Sequence, residues 1–186
     1  MQIIWRTAMS LDGRIASEDE SLNFLDTISD QNRSVADFPA FIASVDAIIV
    51  GAGTLRWLIA GGHGWPHGDV PTWLVSHDAS LEAQVGKTIA PFRRFEGDVS
   101  SLVAAMEAAG RQRAWLAGGG NLAGQLLTID RIDEVDLTIA PVALGAGPSL
   151  FGDQALGLRP FDLAGVRQLT SNTVALRYRR IEPTAG

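Results

Sequence analysis

The run Leu116-Ala117-Gly118-Gly119-Gly120-Asn121-Leu122 joins a short apolar stretch, Ala114 to Ala117, to a helical pattern. Asn121 opens that pattern, with Leu122, Leu126, Leu127 and Ile129 on one side. A strand that passes through bare backbone into a helix start offers unpaired N–H groups to an anion. Without Cβ atoms in the way, a phosphate or a flat ring can approach the main chain closely. A single glycine there would mean only a tight turn; three before a helix start point to nucleotide binding. A second glycine turn, Gly51-Ala52-Gly53-Thr54, follows the apolar run Ala47 to Val50. It does not complete the Gly-x-Gly-x-x-Gly fingerprint, because Arg56 stands at the third glycine, and no Lys-Ser or Lys-Thr follows as in a P-loop. Two strand-to-helix turns in one parallel sheet can open on one crevice, since ligands bind outside the carboxyl ends of such strands.

Other residues are expected around that crevice. Thr54 either caps its helix or donates to a phosphate. Ser76 and His77 end the next strand, where the adenosine end of a dinucleotide would reach, unless they are plain surface loop. Ser10-Leu11-Asp12-Gly13 ends the first strand, so Ser10 and Asp12 face the same space; Asp12 either holds a turn or meets substrate. Phe38, Trp57 and Trp65 are either core residues or the flat walls of a slot for a heterocycle.

The elements that must position these residues alternate along the chain, which argues an α/β domain with a largely parallel sheet. Strands are expected at Ile3 to Ala8, Ala47 to Val50, Thr72 to Val75, Ala114 to Ala117 and Val135 to Ala140. A helix is expected from about Gln31 to Ser44, with Val35, Phe38, Phe41 and Ile42 inward and Pro39 kinking it or delaying its start. Another spans Val99 to Ala109, with Asp98 as N-cap and Gly110 as its stop. Phe161 to Leu169 and Val174 to Ile181 read as a closing antiparallel hairpin.

Composition removes several function classes. The 186 residues suit one domain, 1–186, and are 46% hydrophobic and 19% charged. A net charge of −6 and a pI near 5.0 argue against a nucleic-acid partner, which needs clustered Lys and Arg. With no cysteine there is no disulfide, thiolate metal site or catalytic cysteine. His63 and His67 have a metal-ligand spacing, but Gly and Pro around them deny the helix such a pair needs, so no metal is expected. No apolar stretch reaches the ~20 residues of a membrane span and no signal peptide is visible, so no membrane partner and a cytoplasmic location are expected. A mean hydropathy of +0.13 hints at apolar surface covered by a partner chain.

Taken in order, these motifs resemble the dihydrofolate-reductase-like superfamily. They are most similar to the reductase domain at the C-terminus of bifunctional bacterial riboflavin-biosynthesis enzymes, the RibD C-terminal domain. The matching pieces are Ala8 to Ala16, Val45 to Thr54, Ala117 to Leu122, Ile132 to Leu137, and Ala140 to Gly147 with Leu150-Phe151. The resemblance implies a stand-alone three-layer α/β domain with a mostly parallel central sheet and a C-terminal antiparallel hairpin. It implies NADPH as hydride donor, a small-molecule substrate and a homodimer. Ala8, Ile15 and Ala16 would flank the nicotinamide. Gly51, Gly53 and Thr54 would hold phosphate, as would Gly118, Gly119, Gly120, Asn121 and Leu122, with a cis peptide at Gly118–Gly119. The nearest named activity is reduction of 5-amino-6-(5-phosphoribosylamino)uracil, with dihydrofolate reduction second and a non-catalytic NADPH sensor as the reading of another class.

Departures from the family pattern blur the substrate. Leu55 to Gly62 replaces the segment that contacts a ribose-phosphate substrate in the riboflavin reductases. Asp37 is the acid nearest the helix carboxylate that dihydrofolate reductases use for the pterin. Ala52 stands where those enzymes usually carry an Arg for the 2′-phosphate, which leaves Arg56 or His77 to supply that charge. The incoming proton would come from Asp12 or from water.

Overall fold

The computed structural model describes residues 1–28, 37–61, 65, 67–85 and 92–181. Eight strands form one sheet: β1 (Gln2–Met9), β2 (Ala47–Gly51), β3 (Thr72–Val75), β4 (Phe92–Phe95), β5 (Arg113–Gly118), β6 (Glu134–Ile139), β7 (Phe161–Gln168) and β8 (Val174–Arg180). Their order is β4-β3-β2-β5-β1-β6-β8-β7. Strands β1 to β6 run parallel, while β8 and β7 close the sheet antiparallel. The helices are α1 (Phe38–Ile42), α2 (Ala52–Ala60), α3 (Ala79–Val85), α4 (Val99–Ala108) and α5 (Gly120–Thr128), with a 3-10 turn at Asn23–Ile28. Among the described residues, no helix is long and apolar enough to cross a membrane.

Strands covered on both faces must be apolar throughout, as Ile48, Ile49 and Val50 are. Ile3, Trp5, Ile49 and Leu116 point to one face, where Leu102 and Met106 of α4 and Leu122 and Leu126 of α5 cover them. Val50 and Leu74 point to the other, under Leu55 of α2 and Leu81 of α3. Leu126 has no exposed surface; burying one such side chain contributes about 1.5–3 kcal/mol. Beside α2, Ile48 and Trp115 pack under Phe38 and Phe41 of α1. This is the three-layer arrangement expected of an α/β chain.

Several boundaries differ from expectation. The early part of the helix expected over 31–44, including Val35, lies outside the described residues, as does His63. What is described of that helix begins at Phe38 with Pro39 in its first turn, where a proline's missing N–H costs nothing. Strand β4 and helix α3 gave no periodic signal: the strand reads Phe-Arg-Arg-Phe, with its two arginines at the sheet edge. Helix α5 begins at Gly120 and not at Asn121, with Gly119 as N-cap. Asp98 caps α4 as expected, accepting the Ser101 N–H at 2.7 Å, and Gly110 follows its end with φ +75°.

The inclusion of Gly120 in α5 has a packing reason. A Cβ at Gly120 would overlap the Ser149 carbonyl, and one at Gly124, a turn later, would overlap the Phe151 carbonyl. The chain from Ser149 to Gln154 therefore lies directly on the helix backbone. We expect Gly124→Ala to cost about 1–3 kcal/mol, the usual penalty of overpacking, read as a fall of several degrees in thermal midpoint. Gly53→Ala, whose Cβ meets nothing within 4 Å, should leave the midpoint unchanged or raise it.

Candidate functional site

The carboxyl ends of β1, β2, β3 and β5 carry the loops that the sequence singled out. The two glycine turns touch each other. A Cβ on Gly51 would lie 3.4 Å from both the Gly118 carbonyl oxygen and the Gly119 nitrogen. One on Gly118 would lie 2.6 Å from Thr54 Oγ1. Gly118 has φ +148°, which L side chains rarely adopt, and the Gly118–Gly119 peptide is cis. A bulge prepares this approach: Ile49 pairs with Leu116, but Val50 pairs with Gly118, so β5 carries one extra residue just before the turn.

Helices α2 and α5 both start here, with N-caps Gly51 and Gly119, and neither has a side-chain cap. Thr54 is therefore not a cap. It lies inside α2 with its hydroxyl against Gly118, because the helix begins at Ala52. The first-turn N–H groups of both helices have no intrahelical acceptor, and the dipoles add positive character at the same ends. Between them lies a cavity of about 370 Å³. Gly51, Gly53 and Thr54 line one side, and Gly119, Gly120, Asn121 and Leu122 another. Ile15, Ala16 and Trp57 complete the set of expected residues that the cavity brings together.

Loop 10–16 reaches the cavity because it is laced to the loop after β6. Leu11 N–H donates to the Val142 carbonyl at 2.7 Å, Ile15 N–H to Pro148 at 2.9 Å, and Leu150 N–H to Gly13 at 3.1 Å. Asp12 serves this lacing: its carboxylate accepts the Ser10 hydroxyl at 2.6 Å, Leu144 N–H at 3.0 Å and Gly145 N–H at 2.7 Å. Those donors, the Ser10 hydroxyl foremost, hold its pKa well below the ordinary 3.8. Such a carboxylate is ionised at neutral pH, the opposite of what a proton donor needs. Ser10 is fully buried and also accepts the Arg14 N–H, so it organises the loop and does not line the cavity.

Ala8 packs with Phe24, Ile28 and Ala140 outside the cavity lining, and Gly118, next to Gly119, is also outside it. Phe38 is elsewhere, edge-on to Trp115 with centroids 5.3 Å apart, next to buried His67. Trp65 joins the same cluster. Burial lowers the His67 pKa to about 4, which keeps that ring neutral in the folded chain. Asp37 bridges Arg6 and Arg167, each at 2.6 Å; burial pushes its pKa up, but the two guanidiniums outweigh this and hold it low. Ser76 is buried and His77 exposed just past Val75, which does line the cavity. Sequence reading missed Val75, Pro148, Gln125, Glu20 and Leu22 in the lining. Of these only Gln125 left a signal: it stands four residues after Asn121, and its amide donates to the Asn121 side chain at 2.6 Å.

A second cavity of about 580 Å³ adjoins the first, sharing Glu20, Leu22 and Trp57. Asp19 and Asp26 add two more carboxylates to its lining. The residues present fit a dinucleotide in the first cavity: backbone donors for a pyrophosphate, open space over Gly53, and apolar walls at Ile15, Ala16 and Val75.

Fold and site together define a dihydrofolate-reductase-like α/β domain. The chain belongs to the RibD C-terminal domain family, which it matches over residues 64–175. It is 30% identical over 175 residues to the protein YwjB of Bacillus subtilis, spanning 93% of this chain and 94% of that one. A crystal structure from Shewanella sp. PV-4, of a protein assigned to riboflavin biosynthesis, superposes with TM-score 0.86 at 24% identity, covering 98% of this chain and 100% of that one. Dihydrofolate reductase from Enterococcus faecalis, complexed with NADP(H), superposes with TM-score 0.61 at 14% identity, covering 97% of each chain.

Two expectations follow. Gly53→Val should keep the fold, because its Cβ enters open cavity, yet weaken dinucleotide binding by about tenfold or more, roughly 1.4 kcal/mol. Asp12→Asn should lower thermal stability at neutral pH. Because the folded-state pKa is depressed, the carboxylate's contribution is complete above the ordinary aspartate range and drains away as pH falls below 3.8. The wild-type advantage in melting temperature should therefore be constant from about pH 5 to 8 and shrink on further acidification.

Proposed function

We propose that this chain is an NADPH-dependent reductase that transfers a hydride to a heterocyclic or small carbonyl or imine substrate. The observation that carries this reading is the meeting of two uncapped helix N-termini on one cavity with an apolar wall. In it, Gly51, Gly53 and Thr54 with Gly118 to Leu122 hold the phosphates through backbone donors. Ile15 and Ala16 form the wall beside the nicotinamide, with Ala8 behind it. Ser76 and His77 stand at the adenosine end. Bound NADPH supplies the hydride, while the protein orients it and excludes water.

The substrate enters through the second cavity, with Trp57, Glu20 and Leu22 common to both. Its named counterpart in the family is 5-amino-6-(5-phosphoribosylamino)uracil. The carboxylates of Asp19, Glu20 and Asp26 in that cavity favour a second reading, a substrate without phosphate. The proton comes from solvent, since Asp12 is ionised and its oxygens are occupied. A homodimer and a cytoplasmic location belong to the same proposal.

The test is a fluorescence titration with NADPH, followed by NADPH oxidation with phosphoribosyl pyrimidines and unphosphorylated pteridines. We expect binding below about 1 mM, within the usual range for such substrates, and oxidation with at least one compound. Binding without oxidation across the panel would leave a sensor in place of an enzyme. If neither NADPH nor NADH binds at millimolar concentration, the cofactor reading fails altogether.

A further inference from the structure

The dinucleotide reading leaves one charge unaccounted for. Backbone donors of α2 and α5 serve a pyrophosphate, but NADPH carries a third phosphate on the adenosine ribose. Among the described residues lining the cavity there is no Arg, Lys or His, and the ionisable one is Glu20. With Ser76 and His77 at the adenosine end, as proposed above, the place for such a cation is the rim past Val75, at the end of β3.

The exposed His77 and two arginines stand there, and of these only the arginines offer a guanidinium's paired N–H donors to a phosphate. Arg94 is committed: its guanidinium pairs with Glu82 at 3.0 Å and with Glu96, and donates to the Ser76 carbonyl at 3.4 Å. Arg56 is different. It lies one helical turn after Ala52, on the same side of α2, and Ala52 lines the cavity. Its side chain is 56% exposed, and among the described residues its hydrogen bond runs from Nη2 to Asp78 Oδ2 at 2.9 Å. One of five N–H donors is thus in use.

Asp78 is in the reverse condition. Its Oδ1 accepts the Ser80 N–H at 3.0 Å and the Ser80 hydroxyl at 2.6 Å, and its Oδ2 accepts from Arg56. In dinucleotide sites an acidic side chain takes the ribose 2′-hydroxyl of NAD, whereas an Arg accommodates the 2′-phosphate of NADP. Asp78 has three of about four acceptor positions taken, whereas Arg56 keeps most of its donors.

We propose that Arg56, held at the end of β3 by Asp78, binds the 2′-phosphate of NADPH and sets the preference for NADPH over NADH. This rests on the dinucleotide reading above and adds the residue that selects between the two cofactors. Arg56 does with a guanidinium one turn further along α2 what the Ala52 methyl cannot do.

The experiment compares wild type, Arg56→Gln and Arg56→Lys in fluorescence titrations with NADPH and NADH, and in competition with 2′,5′-ADP and 5′-AMP. Arg56 is exposed and its pair with Asp78 is a surface one, so the variants should melt within a degree or two of wild type. Wild type should bind NADPH and 2′,5′-ADP more tightly than NADH and 5′-AMP. Arg56→Gln should lose about 10–100-fold in affinity for the two 2′-phosphorylated ligands, as expected for charge-assisted hydrogen bonds, with NADH and 5′-AMP unchanged. Arg56→Lys should recover part of the loss, and the selectivity should shrink as salt is raised. Equal wild-type affinity for NADPH and NADH, or an equal loss of both in Arg56→Gln, would overturn the assignment while leaving the dinucleotide site standing. Binding of neither dinucleotide would remove both.

Discussion

Everything at this site depends on two strand ends approaching each other with no side chain between them. Gly51 and Gly118 present bare Cα atoms at the contact, and the Thr54 hydroxyl fills the space that a Cβ on Gly118 would occupy. That proximity brings two helix N-termini to one cavity, so their unpaired N–H groups and partial positive charges act on the same volume. Among the described residues lining the cavity there is no cationic side chain, so these N–H groups are the donors the lining offers an anion there. The bulge in β5 ahead of Gly118 advances that turn toward β2.

Much of this was legible in the residues. The apolar runs, the glycine turns and the Asp98 cap are local signals, and the strands and helices that carry them lie within a few residues of expectation. The Asp-Gly signal favours a turn role for Asp12 over a substrate contact, and only the partners of its carboxylate settle the matter. Leu144 and Gly145 lie more than 130 residues away in sequence, so no local pattern announces them. Phe38 was an aromatic with two fates, and packing against Trp115 at long range decided its place. Helix α5 starts one residue early for a similar reason. Glycine's weak helix propensity marks Gly120 as turn, whereas the Ser149 carbonyl seated on it requires that there be no side chain.

The charged groups divide by how completely their partners occupy them. Asp12, Asp37 and Arg94 each meet several oppositely polarised groups and act as fasteners between loops or strands. Arg56 keeps most of its donors, and in the second cavity Glu20 and Asp26 are exposed while Asp19 is held by Ser17 and Ser21. In a chain of net charge −6, an incompletely occupied arginine beside a cavity is a localised exception to the surrounding field.

The lacing of loop 10–16 to the segment from Val142 to Leu150 continues without interruption into the stretch that lies on Gly120 and Gly124. Opposite walls of the cavity therefore belong to one mechanical body: Ile15 and Ala16 on one side are tied through Pro148 and Leu150 to the start of α5 on the other. These contacts couple a shift of one wall to a shift of the other. Insertions into residues 142–152 would reset the spacing between Ile15 and Ala16 and the start of α5 without replacing a single residue of either, which makes this plain connecting loop the gauge of the pocket.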